Sequence, residues 1–220
     1  MKAAIRSLAV ALLAATSLAP AAEGTRVIDV RAIDTRKLVP AANGTHQLTL
    51  YAHTFGGTRW KPDEVIEAVV GAARLLVQCG ITLTAAELRT VEAPAALRYF
   101  DTPRSRVLLR NLDAPRPAVF FVEDTKNDPA FDAEAVGRAN SARRPELVNT
   151  VWVAHGARDL PFALAHELVH VLSDSGEHTD EPRNLMRSET APENTQLNAA
   201  QCERMRSRGE ANGLLQNHAR

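Results

Sequence analysis

The stretch HELVH, residues 166 to 170, constrains this chain more than any other feature of its sequence. Residues four apart on an α-helix lie on the same face, one turn above another. His166 and His170 would therefore present two imidazoles about 6 Å apart, from which both can bind one metal ion. Glu167 is displaced around the helix and can reach a metal-bound water without being a ligand. Apolar residues of the same segment form a strip on another face, and these are Phe162, Ala165, Val169 and Leu172.

A catalytic zinc ion needs a third protein ligand, with a fourth position left open. Asp174 follows His170 by four residues, but it is two turns from His166, about 12 Å along a straight helix. One ion cannot bind all three of these side chains. The third ligand must therefore come after the helix ends.

Gly176 is where we predict that the chain turns out of the helix, because glycine tolerates positive φ. His178 follows it and is the preferred third ligand, since neutral imidazole is the commonest ligand type beside two other histidines. Glu177 and Asp180 remain alternatives, because carboxylates also bind zinc.

The residues HELVHVLSDSGEH, followed by NLM at 184 to 186, resemble the metzincin clan of zinc endopeptidases. The clan's pattern is His-Glu-x-x-His-x-x-Gly-x-x-His followed by a methionine turn. This sequence has two more residues before its last histidine, with Gly176 in the place of the clan's glycine. The resemblance implies a zincin-like fold, Zn²⁺ as the cofactor and a protein or peptide substrate. It also implies residue roles: zinc ligands His166, His170 and His178, general base Glu167, and Met186 as the floor beneath the metal.

The remaining pattern predicts an α+β chain with a mixed, twisted sheet and helices packed on it. A long helix is predicted over 61–80 with Gly80 at its end, and a C-terminal helix over 197–209, ending at a glycine. The active-site helix begins near Asp159. Strands are predicted over 46–55, 81–93, 118–124 and 149–156, with a short edge strand around 135–139. An edge strand near 135–150 would hold an extended substrate by strand addition.

The N-terminus has the order of charges, apolar residues and small residues that is typical of a secretory signal. Lys2 and Arg6 precede an apolar run over 8–18, and Ala19-Pro20-Ala21 matches a cleavage site. We therefore predict a signal peptide over 1–21, an N-terminal extension or lead-in segment over 22–45, and a zinc-peptidase-like catalytic domain over 46–220. The apolar run is short for a membrane span. A secreted or periplasmic protein with no membrane span after cleavage is expected.

Two cysteines, Cys79 and Cys202, remain in the exported chain. In an oxidising compartment, two distant cysteines are most simply one structural disulfide. Neither has a C-x-x-C partner, so a thiolate zinc cluster is not indicated. Two buried free thiols are the alternative.

The charge balance argues against nucleic acid as a partner. Lys plus Arg and Asp plus Glu number 26 each, and aromatic residues make up 5% of the chain. A nucleic-acid-binding domain needs a basic surface or stacking aromatic residues. The leading interpretation is a monomeric, exported zinc-dependent endopeptidase. The alternative is a secreted binding or inhibitory domain whose zinc site is structural or degenerate.

Overall fold

The computed structural model describes residues 24–35, 44–125, 135–138 and 145–217. The predicted signal peptide lies outside the described residues. Within them the chain forms seven strands and four α-helices, in this order: β1 (Arg26–Ile33), β2 (His46–Phe55), α1 (Pro62–Leu76), β3 (Ile81–Glu92), α2 (Thr102–Asn111), β4 (Ala118–Val122), β5 (Ala135–Arg138), β6 (Thr150–Ala154), α3 (Leu160–Ser173), α4 (Ala199–Ala211) and β7 (Leu215–Asn217). The predicted α+β class is confirmed. No helix in the described ranges is long and apolar enough to cross a membrane.

The strands form one mixed sheet in the order β1-β3-β2-β4-β6-β5. Its four central strands, β3, β2, β4 and β6, are parallel, whereas β1 and β5 run antiparallel at the two edges. Parallel neighbours need a long crossover connection, and α1 supplies it between β2 and β3. β7 pairs antiparallel with the start of β2. β1 comes from the segment predicted as an extension or lead-in, and it pairs with β3.

Helices α1, α3 and α4 share one hydrophobic core with one face of the sheet. Alternate strand residues point to this face, and Val119 and Phe121 of β4 are buried there. The helix predicted over 61–80 ends earlier as an α-helix, at Leu76. A 3-10 turn, Val77–Cys79, follows it, and Gly80 then closes the segment as predicted, with φ 70°.

Helix α2 belongs to a second core on the opposite face, and it was not predicted from the sequence. Its residues Leu108 and Leu109 are buried in one cluster with Phe120 and Trp152. The side chain of Asp101 caps the helix, and a proline follows in the first turn. These start signals are present in the sequence, but ten residues are too few to show a clear apolar period.

A disulfide joins Cys79, in the turn after α1, to Cys202 of α4, the pair that the sequence predicts. Both cysteines are buried. The predicted end of the last helix at Gly209 is wrong, because α4 continues to Ala211. Gly209 serves close packing instead, since a Cβ there would lie 2.7 Å from the side chain of Leu215 in β7.

Candidate metal centre

Helix α3 carries two of the predicted ligands and lies close against α1 at its start. The carbonyl of Asp159 accepts hydrogen bonds from the N–H groups of Phe162 and Ala163. Pro161 occupies the first turn, where its missing N–H costs no helical hydrogen bond. Gly71 of α1 faces this proline, and a Cβ on Gly71 would lie 2.5 Å from the Cβ of Pro161. The absence of a side chain at this point allows the two helices to approach.

Three histidine side chains converge beside α3. The Nε2 atoms of His166 and His170 are 3.0 Å apart, and the Nε2 atom of His178 lies 3.1 Å and 3.3 Å from them. Zinc–nitrogen bonds of about 2.0–2.1 Å in a tetrahedral site separate the nitrogen ligands by about 3.3 Å. The three nitrogens therefore fit three corners of a tetrahedron around one ion. Among the described residues, these histidines form the group that could hold a metal ion.

Backbone carbonyls fix the other ring nitrogen of each helical histidine. The Nδ1–H of His166 donates to the carbonyl of Leu185 at 2.8 Å, and the Nδ1–H of His170 donates to the carbonyl of Ser175 at 2.7 Å. A carbonyl oxygen can only accept, so each Nδ1 carries the proton and each Nε2 keeps its lone pair. The 3.0 Å separation of the two Nε2 atoms is thus a ligand spacing and not a hydrogen bond. Outer contacts of this kind set the orientation of metal ligands.

Burial keeps both helical histidines neutral. His166 is 3% exposed and His170 is 8% exposed. Burial lowers the pKa of His166 to about 4, and it also lowers the pKa of His170. Since only neutral imidazole has a lone pair to offer, both rings can bind a metal ion at neutral pH without losing a proton first.

The chain leaves α3 at Asp174 and not at Gly176, so the predicted turn position is wrong. Asp174 has a left-handed backbone, φ 49°, and its N–H donates to the carbonyls of His170 and Val171. The φ of Gly176 is not positive, and a Cβ on it would meet nothing within 4 Å. Aspartate is one of the few residues other than glycine that visits this conformation routinely. His178 follows this left-handed residue by four positions.

His178 lies on an exposed loop that is anchored on both sides. Before it, the guanidinium of Arg204 in α4 pairs with the carboxylate of Glu177. After it, the N–H of Thr179 donates to the carbonyl of Met186 at 2.9 Å. These two contacts hold the loop against α4 and against the turn that contains Met186.

Neither carboxylate that the sequence leaves as an alternative ligand joins the two helical histidines. Glu177 is exposed and paired with Arg204. Asp180 is exposed too, and its backbone carbonyl accepts a hydrogen bond from Arg187 at 2.9 Å. In the described part of the chain, His178 is the side chain that lies with His166 and His170 in a group that could hold a metal ion.

The other two predicted site residues differ in burial. Glu167 follows His166 on α3 and is half-buried. Met186 is 3% exposed and belongs to the core shared by α1, α3 and α4. It also lines, together with His178, an open pocket of about 290 Å³. Met186 thus borders both the core and the space next to the third histidine.

Several groups that support the site were not predicted from the sequence. They are the carbonyls of Leu185 and Ser175 and the side chains of Asn184, Gln201 and Arg204. The carbonyls have no sequence signal, because every residue carries one. The sequence does carry a signal for Gln201, because Asn198 and Gln201 have the spacing of a capping box, which they form at the start of α4.

Comparison with known proteins gives a match at the level of structure. No protein-family model matches the chain, and no curated protein matches it. Among solved structures, it is similar to the crystal structure of metalloproteinase-II from Bacteroides fragilis, with a TM-score of 0.53 and 17% identity. The match covers 77% of this chain and 55% of that one, so the chain spans about half of that protein's length. The likeness shows a shared fold, in agreement with the zincin-like architecture predicted from the sequence.

Proposed function

We propose that this chain is an exported zinc-dependent endopeptidase. The convergence of three Nε2 atoms at 3.0–3.3 Å from one another carries the proposal, because this is the spacing of three imidazoles on one tetrahedral ion. His178 is exposed, so the group is open to solvent on the side of this residue. The fold shared with a metalloproteinase supports the same assignment.

The proposed reaction is the addition of water across a peptide bond. A zinc ion bound by the three histidines would lower the pKa of a water molecule and polarise the substrate carbonyl. Glu167 would take a proton from the water that attacks the carbonyl carbon and would then donate it to the leaving nitrogen. The C–N bond breaks, which gives a carboxylic acid and an amine, and the acid then loses its proton to the amine or to solvent at neutral pH. His166 and His170 keep their Nδ1 protons throughout, since backbone carbonyls hold them.

We assign the substrate to the edge of the sheet and Met186 to the floor of the site. β5 is the edge strand next to β6, and it lies beside α3. Its outer edge offers backbone groups to which an extended peptide can add as a further strand. The proposal for Met186 is supported by its burial and by its place beside His178 in the lining of one pocket.

Export agrees with the disulfide between Cys79 and Cys202, because such bonds persist in oxidising compartments. The signal predicted over residues 1–21 would direct the chain to the periplasm or the exterior. We propose that the chain acts there after cleavage, as a monomer.

The proposal is tested by elemental analysis and peptidase assays of the chain from residue 22 onward. The wild type is expected to contain one zinc ion, which His166→Ala loses. Glu167→Gln is expected to keep the zinc and to lose activity on a peptide library by about 100-fold or more, since it cannot accept the proton. Zinc without cleavage in the wild type would favour the secreted binding or inhibitory domain. No zinc after incubation with the metal would reject the metal site altogether.

A further inference from the structure

Asn184 is a buried amide in the turn beside the histidines, and all of its hydrogen-bonding capacity is used. The residue is 2% exposed. Its Oδ1 accepts from the N–H of Met186 at 2.9 Å and from Nε2 of Gln201 at 3.2 Å. Its Nδ2 donates to the carboxylate of Glu181 at 2.9 Å and to Oε1 of Gln201 at 3.0 Å. Two donated and two accepted bonds are the full complement of an amide side chain.

The two bonds between Asn184 and Gln201 make a reciprocal amide pair that links the turn to α4. Oε1 of Gln201 also accepts from the N–H of Asn198 at 2.8 Å, so one side chain both caps α4 and orients Asn184. The next residue, Cys202, is held by the disulfide to Cys79. The turn is therefore tied to a helix that carries no metal ligand but is itself firmly attached.

The peptide group between Leu185 and Met186 connects this pair to the first histidine. Its N–H donates to Oδ1 of Asn184, and its carbonyl accepts from Nδ1–H of His166 at 2.8 Å. A peptide group is planar, so its N–H and its carbonyl cannot rotate independently. Fixing the N–H therefore fixes the direction of the carbonyl, and the carbonyl in turn fixes the ring of His166.

We propose that Asn184, oriented by Gln201, is a positioning residue for His166. It holds one peptide plane, and through that plane it sets the tautomer and orientation of the imidazole, with Nε2 free to bind a metal ion. The inference rests on the proposed function only in taking His166 as a ligand. The effect of Asn184 on the tautomer and orientation of the His166 ring is expected in the metal-free protein as well.

Three variants separate this role from general support of the fold. Asn184→Ala removes the acceptor for the N–H of Met186. Gln201→Met keeps a similar shape but removes the reciprocal bonds, and it is a milder change if Asn184→Ala does not fold. Asn198→Ala is the control for the helix cap. It removes the capping bond from the N–H of Gln201 and the two bonds from Nδ2 of Asn198 to Glu181, but it leaves both bonds between Asn184 and Gln201.

Two measurements are made on each protein. In the metal-free form, ¹⁵N NMR of the imidazoles reports the tautomer of His166, which is expected to be Nδ1–H in the wild type and in Asn198→Ala, and mixed in the other two variants. In the loaded form, chelator competition is expected to show zinc affinity at least about tenfold weaker in Asn184→Ala, as for other outer-contact losses in metal sites. Gln201→Met is expected to show a smaller loss, and Asn198→Ala less than about a twofold change.

The proposal is overturned if Asn184→Ala keeps both the wild-type tautomer and the wild-type affinity, or if Asn198→Ala changes them equally. A wild-type protein that binds zinc but cleaves no peptide would contradict the proposed function and leave both readouts valid. If the wild type binds no zinc, the tautomer of His166 in the metal-free proteins decides the positioning role.

Discussion

At the scale of single residues, the three histidines of the candidate metal centre differ in how they are held. His166 and His170 are buried on one helix, and each is oriented by a backbone carbonyl. His178 is exposed, on a loop that its neighbours anchor. The first two rings are therefore part of the folded core with or without a metal ion. Removing the third should affect metal binding much more than folding.

His178→Ala is expected to weaken zinc binding by more than the 10–100-fold typical of an outer contact, because a direct ligand is lost. The metal-free protein should melt within a few degrees of the wild type, since exposed side chains contribute little to stability. Chelator competition and thermal unfolding of the metal-free protein check these outcomes. Asp180→Ala is the control and should leave zinc affinity unchanged. An equal loss of zinc affinity in Asp180→Ala would indicate that the carboxylate of Asp180 is a zinc ligand.

A fourth histidine, His53, is fully buried on the other face of the sheet. Its ring stacks on Phe120 at 4.6 Å, and Phe120 stacks on Trp152 at 4.5 Å. The three residues stand opposite one another on adjacent strands β2, β4 and β6. Burial, together with the nearby charge of Arg89, lowers the pKa of His53 from 6.5 to about 4.

Stability of the metal-free protein should therefore fall on acidification. Between pH 6.5 and 4 the unfolded chain protonates His53 while the folded chain keeps it neutral, which favours unfolding as the pH falls. The loss from pH 7 to 5 is expected to be about 2 kcal/mol for this group. Urea unfolding of the wild type and of His53→Phe at both pH values isolates the contribution of His53 to the free energy of unfolding, because all other histidines are common to both proteins. An identical pH dependence in the two proteins would contradict the prediction.

At the scale of elements, the sequence predicts what depends on local pattern and fails where tertiary contacts decide. β2 occupies the predicted residues 46–55, since alternation and the glycines after it are local signals. The spacing of four residues alone predicts that His166 and His170 lie on one face of a helix. Glycine predicts the exit from α3 at Gly176, but the chain turns at Asp174, which takes the left-handed conformation and bonds back to the carbonyls of His170 and Val171. The carbonyls of Leu185 and Ser175, which orient the two helical histidines, could not be predicted. Every residue has a backbone carbonyl, so the sequence does not show which one a histidine will contact.

Two glycine substitutions should have opposite effects. Gly71→Ala puts a Cβ 2.5 Å from Pro161, and such overpacking costs about 1–3 kcal/mol, more than the roughly 1 kcal/mol that alanine contributes inside a helix. It should also weaken zinc binding, because α3 must move. Gly176→Ala has open space and no positive φ, so its stability should equal or exceed that of the wild type by up to about 1 kcal/mol. Urea unfolding and chelator competition compare the two, and loss of stability in Gly176→Ala would contradict the turn position described above.

At the scale of the whole molecule, α4 contacts both the turn and the loop that lie beside the candidate metal centre. Gln201 contacts the turn next to His166, and Arg204 contacts the loop before His178. Between these two residues, Cys202 is bonded to Cys79 in the 3-10 turn after α1, 123 residues away in sequence. The disulfide therefore fixes the helix that carries both supporting residues, Gln201 and Arg204.

The double variant Cys79→Ala/Cys202→Ala is expected to lose about 2–5 kcal/mol of stability, as is typical for native disulfides that close long loops. Its zinc affinity should fall as well, since α4 is less firmly held. The wild type treated with a reductant serves as the control and should match the double variant in both respects. Urea unfolding and chelator competition provide the measurements. Unchanged zinc affinity in a folded double variant would show that α4 holds its position without the bond.

The three histidines are close together in sequence, although the residues that support them are not. His166 and His178 are separated by 12 residues, with His170 between them. Gathering them in an unfolded chain closes only a short loop, for which the entropic cost is small. The unfolded chain is therefore itself a competitor for the metal, and thermodynamic linkage counts only the difference between the two states. Saturating zinc should raise the melting temperature by less than its affinity for the folded protein implies.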